Sequence, residues 1–354
     1  MQSPYMHWAK FKAPVRYALT GSEVPHFRMD RLPWTMADLD LDGASHPRYP
    51  ALREAIARHA GVSVDSVVTA DGTSMVNFLA MAALIAPGDE VLIEHPAYDP
   101  ILGAVSFLGG AIKRFERNPA DAFRLDPDKV AAAMSDKTRL IVLTNLHNPS
   151  GNLAGEEELR AVGELASAAG ARVLIDEVYL DAAVPARRSA VHLSDAFVTT
   201  NSLTKVYGLS GLRCGWILAE PELAERMWRL NDLMGVNQAH QAERLACLAF
   251  AHLDEVVGDV PALLKRNRAA FNAFLAGRAD LDCAPAEQGL TAFPRWAGGD
   301  TERLDALLRE RYDTAVVAGR WFEMPDHFRL GFALPEQDFY EALSRLGGAL
   351  NELQ

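Results

Sequence analysis

The chain has 354 residues, with 35 Lys plus Arg against 47 Asp plus Glu, a formal net charge of −12 and 49% hydrophobic residues. That length and apolar content suit roughly two domains with sizeable cores and exclude a disordered chain. The acidic balance, without any run of Lys or Arg, argues against nucleic acid as a partner.

Residues 1–45 are rich in proline and turn formers, and their first ten carry no apolar leader segment. Pro50 opens a helical pattern over 50–60. From there to about residue 220, short β-branched runs alternate with longer helical ones, the signature of a parallel sheet covered by helices. The predicted strands are 66–69, 90–94, 111–115, 139–144, 172–176, 196–200 and 213–219, with helices at 74–86 and 156–169 between them. The longest apolar stretch, 76–87, is interrupted by Asn77 and is far shorter than the ~20 residues of a membrane span, so no membrane association is expected. After residue 220 the character changes: 221–228 and 238–256 read as helices, and the remainder mixes helices with short strands at 314–317 and 328–332, a smaller α+β unit. Cys214, Cys247 and Cys283 are odd in number and scattered, which points to a reducing, cytoplasmic setting and to no disulfide framework or metal site.

Ligands of open α/β sheets bind beyond the C-terminal ends of the strands, so polar residues that close apolar runs come first. Asp71-Gly72-Thr73-Ser74 follows a strand and opens a helix, offering hydroxyls and free N–H groups to an anion; the plain alternative is a helix N-cap made by Thr73 or Ser74. His147-Asn148-Pro149-Ser150-Gly151 is turn chemistry that sets Asn148 at a strand exit. Asp176, closing a strand apolar on both faces, needs a cation or a strong donor, with a structural arginine as the plain partner. Only seven of the 35 basic residues are lysines, and one lies in Ser202-Leu203-Thr204-Lys205, eight residues before Arg213 and among Gly208, Gly211 and Gly215. Two hydroxyls, an ammonium and a guanidinium make a phosphate site, and a lysine buried there has its pKa lowered toward nucleophilic use.

Together these motifs resemble the class I/II, fold-type-I aminotransferases that use pyridoxal 5′-phosphate (PLP), from roughly residue 45 to the C-terminus. The resemblance implies an α/β large domain over 46–250, with a mostly parallel seven-stranded sheet sandwiched by helices, and a smaller α+β domain formed by 1–45 together with 251–354. It makes Lys205 the Schiff-base lysine and proton shuttle, Asp176 the partner of the pyridine nitrogen, and Tyr179 and Asn148 donors to the phenolic oxygen. Tyr98 corresponds to the aromatic residue that stacks on the ring. Gly72, Thr73, Ser74, Ser202, Thr204 and Arg213 would hold the phosphate. Arg329, in Phe328-Arg329-Leu330-Gly331-Phe332, matches the arginine that grips the substrate α-carboxylate, with Asn148 beside it.

The implied reaction is ping-pong transfer of an α-amino group between an L-amino acid and a 2-oxo acid, in a homodimer with its sites at the interface. A PLP lyase or cyclase of the same fold is the alternative. A PLP-dependent transcription regulator ranks low for an acidic chain whose strand-helix pattern begins by residue 50. Two segments depart from the family pattern. Where relatives lend a tyrosine to the partner's phosphate, about ten residues before Leu52-Arg53, this chain has Gly43, and Tyr49 comes too late. The segment expected to line the substrate pocket reads Met36-Ala37-Asp38-Leu39-Asp40-Leu41-Asp42-Gly43. Asp38, Asp40 and Asp42 there would suit a cationic side chain and Arg28 and Arg31 upstream an acidic one, but plain surface solvation is the stronger expectation for most of them.

Overall fold

The computed structural model describes residues 3–354; Met1 and Gln2, the start of the stretch read above for a leader, lie outside it. At its centre are β1 (Val67–Asp71), β2 (Glu90–His95), β3 (Ala111–Glu116), β4 (Thr138–Thr144), β5 (Arg172–Asp176), β6 (Phe197–Ser202) and β7 (Cys214–Leu218). They form one sheet in the order β1-β7-β6-β5-β4-β2-β3. Only β7 runs antiparallel to its neighbours. The expected α/β architecture, a mostly parallel seven-stranded sheet between helices, is what the chain adopts.

Successive side chains of a strand face opposite sides. Leu140 and Val142 of β4 pack into one helical layer, Ile141 and Leu143 into the other. Such strands are buried on both faces and read as unbroken apolar runs. With α1 (Pro4–Phe11), α2 (Pro50–Ala60), α3 (Gly72–Leu84) and α4 (Asp99–Phe107) numbered in chain order, the first layer is α3, α4 and the helix Pro221–Asn231. The second is built from Val130, Leu159 and Val162 of the helices Pro127–Ala133 and Glu156–Ala168.

Three elements differ from the sequence reading. The helical pattern over 238–256 breaks at His252 (φ −129°, ψ 31°) into His240–Ala251 and Leu253–Val257. The strand expected at 314–317 is two: Thr314–Ala315 pairs parallel with Tyr17–Ala18, and Val317–Ala318 pairs antiparallel with Phe328–Gly331. Between them the Val316 amide leaves the ladders to donate to the Asp305 carboxylate at 3.1 Å. The N-terminal segment, read as turn-rich, contains α1. The Ser3 hydroxyl caps it by accepting from the Met6 amide at 3.3 Å, and Pro4 opens its first turn. Tyr5 of α1 packs with Phe123, Phe293 and Phe322, so the start of the chain roofs the same edge of the sheet that carries the polar strand ends. No helix among the described residues is long and apolar enough to cross a membrane.

Candidate active site

The C-terminal ends of β1, β4, β5 and β6 lie along one edge of the sheet, beside the start of antiparallel β7. A cavity of about 690 Å³ opens there, lined by Thr73, Ser74, Tyr98, Asn148, Asp176, Tyr179, Thr204, Lys205 and Arg213. The other three residues selected from the sequence, Gly72, Ser202 and Arg329, stand directly behind that lining.

One end of the cavity is the start of α3. Asp71 occupies the N-cap position without a side-chain cap hydrogen bond, and Thr73 and Ser74 lie inside the first turn, so neither makes the plain N-cap. Instead the Thr73 hydroxyl donates to Ser202 Oγ at 2.7 Å, which also accepts from the Thr204 amide at 3.2 Å. The α3 N–H groups remain open to an anion. Arg213 follows the short turn Ser210–Leu212 with φ 50° and donates to the Asp71 carbonyl at 3.0 Å. Gly72 (φ 75°) is required here, because a Cβ would strike the Arg213 guanidinium. The Thr204 hydroxyl is buried without a hydrogen-bond partner among the described residues.

Asp176 closes β5, 5% exposed. The partner is no arginine: Asn77 Nδ2 donates to its Oδ2 at 2.8 Å and the Val178 amide to its Oδ1 at 3.0 Å. Thr200 in turn donates to Asn77 Oδ1. Burial pushes the Asp176 carboxyl up to about 6, while those two donors and the charge of Lys205 act against burial. Among the described residues this carboxylate has neutral donors and no paired cation. Asn77 was not selected as a site residue from the sequence, although its interruption of the 76–87 apolar run was visible.

Arg329 is 1% exposed and no carboxylate lies within 4 Å of it among the described residues. Its guanidinium donates to Asn148 Oδ1 at 3.0 Å, the Tyr5 hydroxyl at 3.1 Å and the Thr20 carbonyl at 3.2 Å, and its Nε is unpaired. Asn148 is held by a relay: its amide donates to Thr144 Oγ1 at 3.0 Å, and the Thr144 amide and hydroxyl both donate to Glu94 at 2.7 Å. Glu94 is paired with Arg117 at 2.8 Å, both 1% exposed. A buried cation with only neutral partners is a receptor for a carboxylate.

Lys205 Nζ is 3.6 Å from the Glu23 carboxylate and 3.5 Å from Ser22 Oγ. Tyr5, Met6, Thr20, Gly21, Ser22 and Glu23 complete the cavity wall. This corrects the sequence reading, which assigned the pocket-lining N-terminal segment to residues 36–43. Those residues lie elsewhere: Asp38 accepts from the Thr35 amide at 2.7 Å, Asp40 sits 3.4 Å from His240, and Arg28 pairs with Asp30 at the surface. The overlooked signal was the turn cluster Thr20-Gly21-Ser22 directly after Tyr17-Ala18-Leu19.

A ligand with a phosphate at one end and a protonatable ring nitrogen at the other fits this cavity. The unpartnered Thr204 hydroxyl, the open α3 terminus and Arg213 suit the first, and the cation-deficient Asp176 suits the second. PLP has both groups. Among the described residues no three or more His, Cys, Asp or Glu side chains are arranged to hold a metal ion.

The family model described as aminotransferase class I and II matches residues 40–346. Capreomycidine synthase of Streptomyces vinaceus is 31% identical over 305 residues, covering 84% of this chain and 78% of that protein. An aspartate aminotransferase of Streptomyces avermitilis is 25% identical over 350 residues, covering 88% and 84%. A PLP-dependent aminotransferase from Streptococcus suis has the same fold, with a TM-score of 0.91 at 22% identity over 100% of this chain and 99% of its own. The PLP-dependent cyclase OrfR superposes with a TM-score of 0.88 at 26% identity, over 99% and 97%. With its sheet, its cavity and a family match over most of its length, this chain belongs to the class I and II aminotransferase family of PLP-dependent enzymes.

Proposed function

We propose that the chain is an aminotransferase that moves an α-amino group between an L-amino acid and a 2-oxo acid in two half-reactions. The observation that carries this reading is Lys205 lining one cavity with Asp176, in front of a buried Arg329 whose partners among the described residues are all neutral. When bound, PLP supplies an electron sink for the pair released at the substrate Cα and a carrier for the amino group.

The protein's own residues do the rest. Arg329 binds the α-carboxylate in a two-pronged contact, and the relay from Arg117 through Glu94, Thr144 and Asn148 holds the guanidinium still. Fixing the carboxylate turns the Cα–H bond toward Lys205, whose Nζ takes the proton and returns it. Asp176 holds a proton on the cofactor's ring nitrogen. That contact supplies the cation its environment lacks, and brings the carboxyl back down from the value of about 6 that burial imposes. Tyr179 and Asn148 would donate at the phenolic oxygen, and Tyr98, half-buried beside Tyr5 at 5.7 Å between ring centroids, would pack on the ring and keep water out. Ser74, Thr204 and Arg213 bind the phosphate with the α3 terminus, and Gly72, Thr73 and Ser202 shape that cradle.

We also infer two lobes, 46–250 and 1–45 with 251–354, and a cytoplasmic homodimer with its sites at the interface. Support for the dimer is the apolar exposure of Leu41, Leu233 and Val236, 56%, 81% and 60% exposed, on segments tied together by the contact between Asn237 and Ser45.

A PLP-dependent cyclase or lyase is the second reading, favoured by the likeness to a capreomycidine synthase and to the cyclase OrfR. Both chemistries begin with proton removal at Cα, so the same residues serve both. Mass spectrometry of products separates them when the holoenzyme is given a panel of amino acids with and without 2-oxo acids. Transfer yields a new amino acid and a new oxo acid, and only when an acceptor is present. Loss of water or ammonia without any acceptor would replace transfer by the second reading.

A further inference from the structure

We propose that Glu23 reads the substrate's side chain and selects amino acids whose side chain carries a cation, an ammonium or a guanidinium. This deepens the reading above and rests on Lys205 being the point of cofactor attachment. Glu23 and Asp176 are the two carboxylates of the cavity wall. Asp176 is buried and committed to Asn77 and Val178. Glu23, with a side chain 34% exposed, has Lys205 Nζ as its one ion partner among the described residues, at 3.6 Å. Where Lys205 Nζ, its proton lost, forms the imine with the cofactor's aldehyde carbon and the carbonyl oxygen leaves as water, the nitrogen would no longer be a free ammonium. Glu23 is then a half-buried carboxylate without a counterion at the mouth of the cavity, a position that attracts a cation and repels a second carboxylate.

The space around it agrees. A Cβ on Gly21 would meet nothing within 4 Å, so the wall beside Glu23 is open to a side chain. The opposite charge gathers elsewhere. Lys12 donates to Thr20 Oγ1 at 2.9 Å, and the carbonyl of the same residue accepts from Arg329, so both cations gather around Thr20. Lys10 is exposed at the rim. The cavity therefore has cations gathered around Thr20 and Arg329 for the α-carboxylate and a single carboxylate at Glu23 beside Lys205, the charge pattern of a basic amino acid.

The test is a visible-absorbance titration of the holoenzyme with amino acids that lack a Cα proton and cannot react onward: α-methylornithine, 2-aminoisobutyrate and α-methylglutamate. The expectation for the wild type is at least about tenfold tighter binding of α-methylornithine than of 2-aminoisobutyrate, with α-methylglutamate weakest. Glu23→Gln brings the first ratio close to one, and Glu23→Lys reverses the order of the two charged ligands. Each readout is a ratio within one protein, so a lower active fraction in a variant does not distort it. Ratios unchanged in both variants, or a wild-type preference for α-methylglutamate, would overturn the proposal while leaving the PLP-enzyme reading intact. A wild-type holoenzyme whose absorbance responds to none of the three would overturn the proposal and the reading of this cavity as an amino-acid site, with the family membership untouched.

Discussion

The cavity has two walls built on different principles. The sheet-edge wall, with Asp176, Thr144, Ser202 and the α3 terminus, is fixed by register: Thr144 faces Asp176 across β4 and β5, and Asp176 faces Thr200 across β5 and β6. Strands about 4.8 Å apart hold these groups with little freedom. The opposite wall, residues 5–23, is one short helix and a loop carrying Tyr5, Thr20, Gly21, Ser22 and Glu23. The contrast teaches that the groups suited to chemistry sit on the rigid element and those suited to choosing a substrate on the pliable one. Substitutions in the first wall should therefore lower turnover for every substrate, and substitutions in the second should change substrate affinity with turnover nearly kept.

The largest effect is expected at the lysine. Lys205→Ala should lower turnover by at least about 10⁴-fold for all amino acids and abolish the visible absorbance of lysine-attached cofactor. Asp176→Asn should lower turnover roughly 10³-fold, and it carries a stability signature in protein stripped of cofactor. The folded-state carboxyl is raised from 3.8 to about 6, so folding retains a proton that the unfolded chain releases. The Asp176 contribution to wild-type stability must then fall as pH rises from about 4 to about 6 and level off above, by up to ~3 kcal/mol for a shift of about two units. Glu177, which burial pushes up to about 8, gives the same sign over a wider range in both proteins. Urea melts at several pH values should show a smaller decline between pH 4 and 6 in Asp176→Asn, and parallel curves would remove Asp176 as the group responsible.

Arg329→Lys replaces a planar fork by a point charge and should lower kcat/KM about 100-fold, ~2.7 kcal/mol, with the cofactor absorbance retained. The smallest change tests the pliable wall. Tyr5→Phe removes one neutral hydrogen-bond partner of Arg329 and should raise KM about fivefold, ~1 kcal/mol, with kcat nearly constant. A comparable fall in kcat would mean that the N-terminal wall takes part in the chemistry and would erase the distinction between the two walls.

The same contrast explains what the sequence made legible. The sheet edge announces itself because apolar runs must end somewhere, and Asp176 at the end of 172–176 or Lys205 after 196–200 cannot be hidden by packing. Spacing along a single segment also carried the phosphate cradle, since Gly72 to Ser74 and Ser202 to Arg213 are each local. The N-terminal wall is assembled from pieces far apart in the chain. Arg329 meets Tyr5 across 324 residues, and no local pattern states that contact. The segment expected at 36–43 stands away from the cavity, whose N-terminal wall is built by residues 5–23. The buried pair of Glu94 and Arg117 was equally silent, because either residue alone reads as a solvated strand end.

The loop that forms the pliable wall is fastened by its main chain on both sides of residues 20–23, beside the buried side chains of Leu19 and Val24. Tyr17 and Ala18 pair with Thr314 and Ala315, the Gly331 amide donates to the Leu19 carbonyl at 2.8 Å, and the Val24 amide donates to the Lys205 carbonyl at 2.9 Å. Backbone attachments are indifferent to side-chain identity. The side chains at 20–23 lie between these anchors, so a lineage built on this scaffold can vary the groups that face the substrate one substitution at a time while the loop keeps its place.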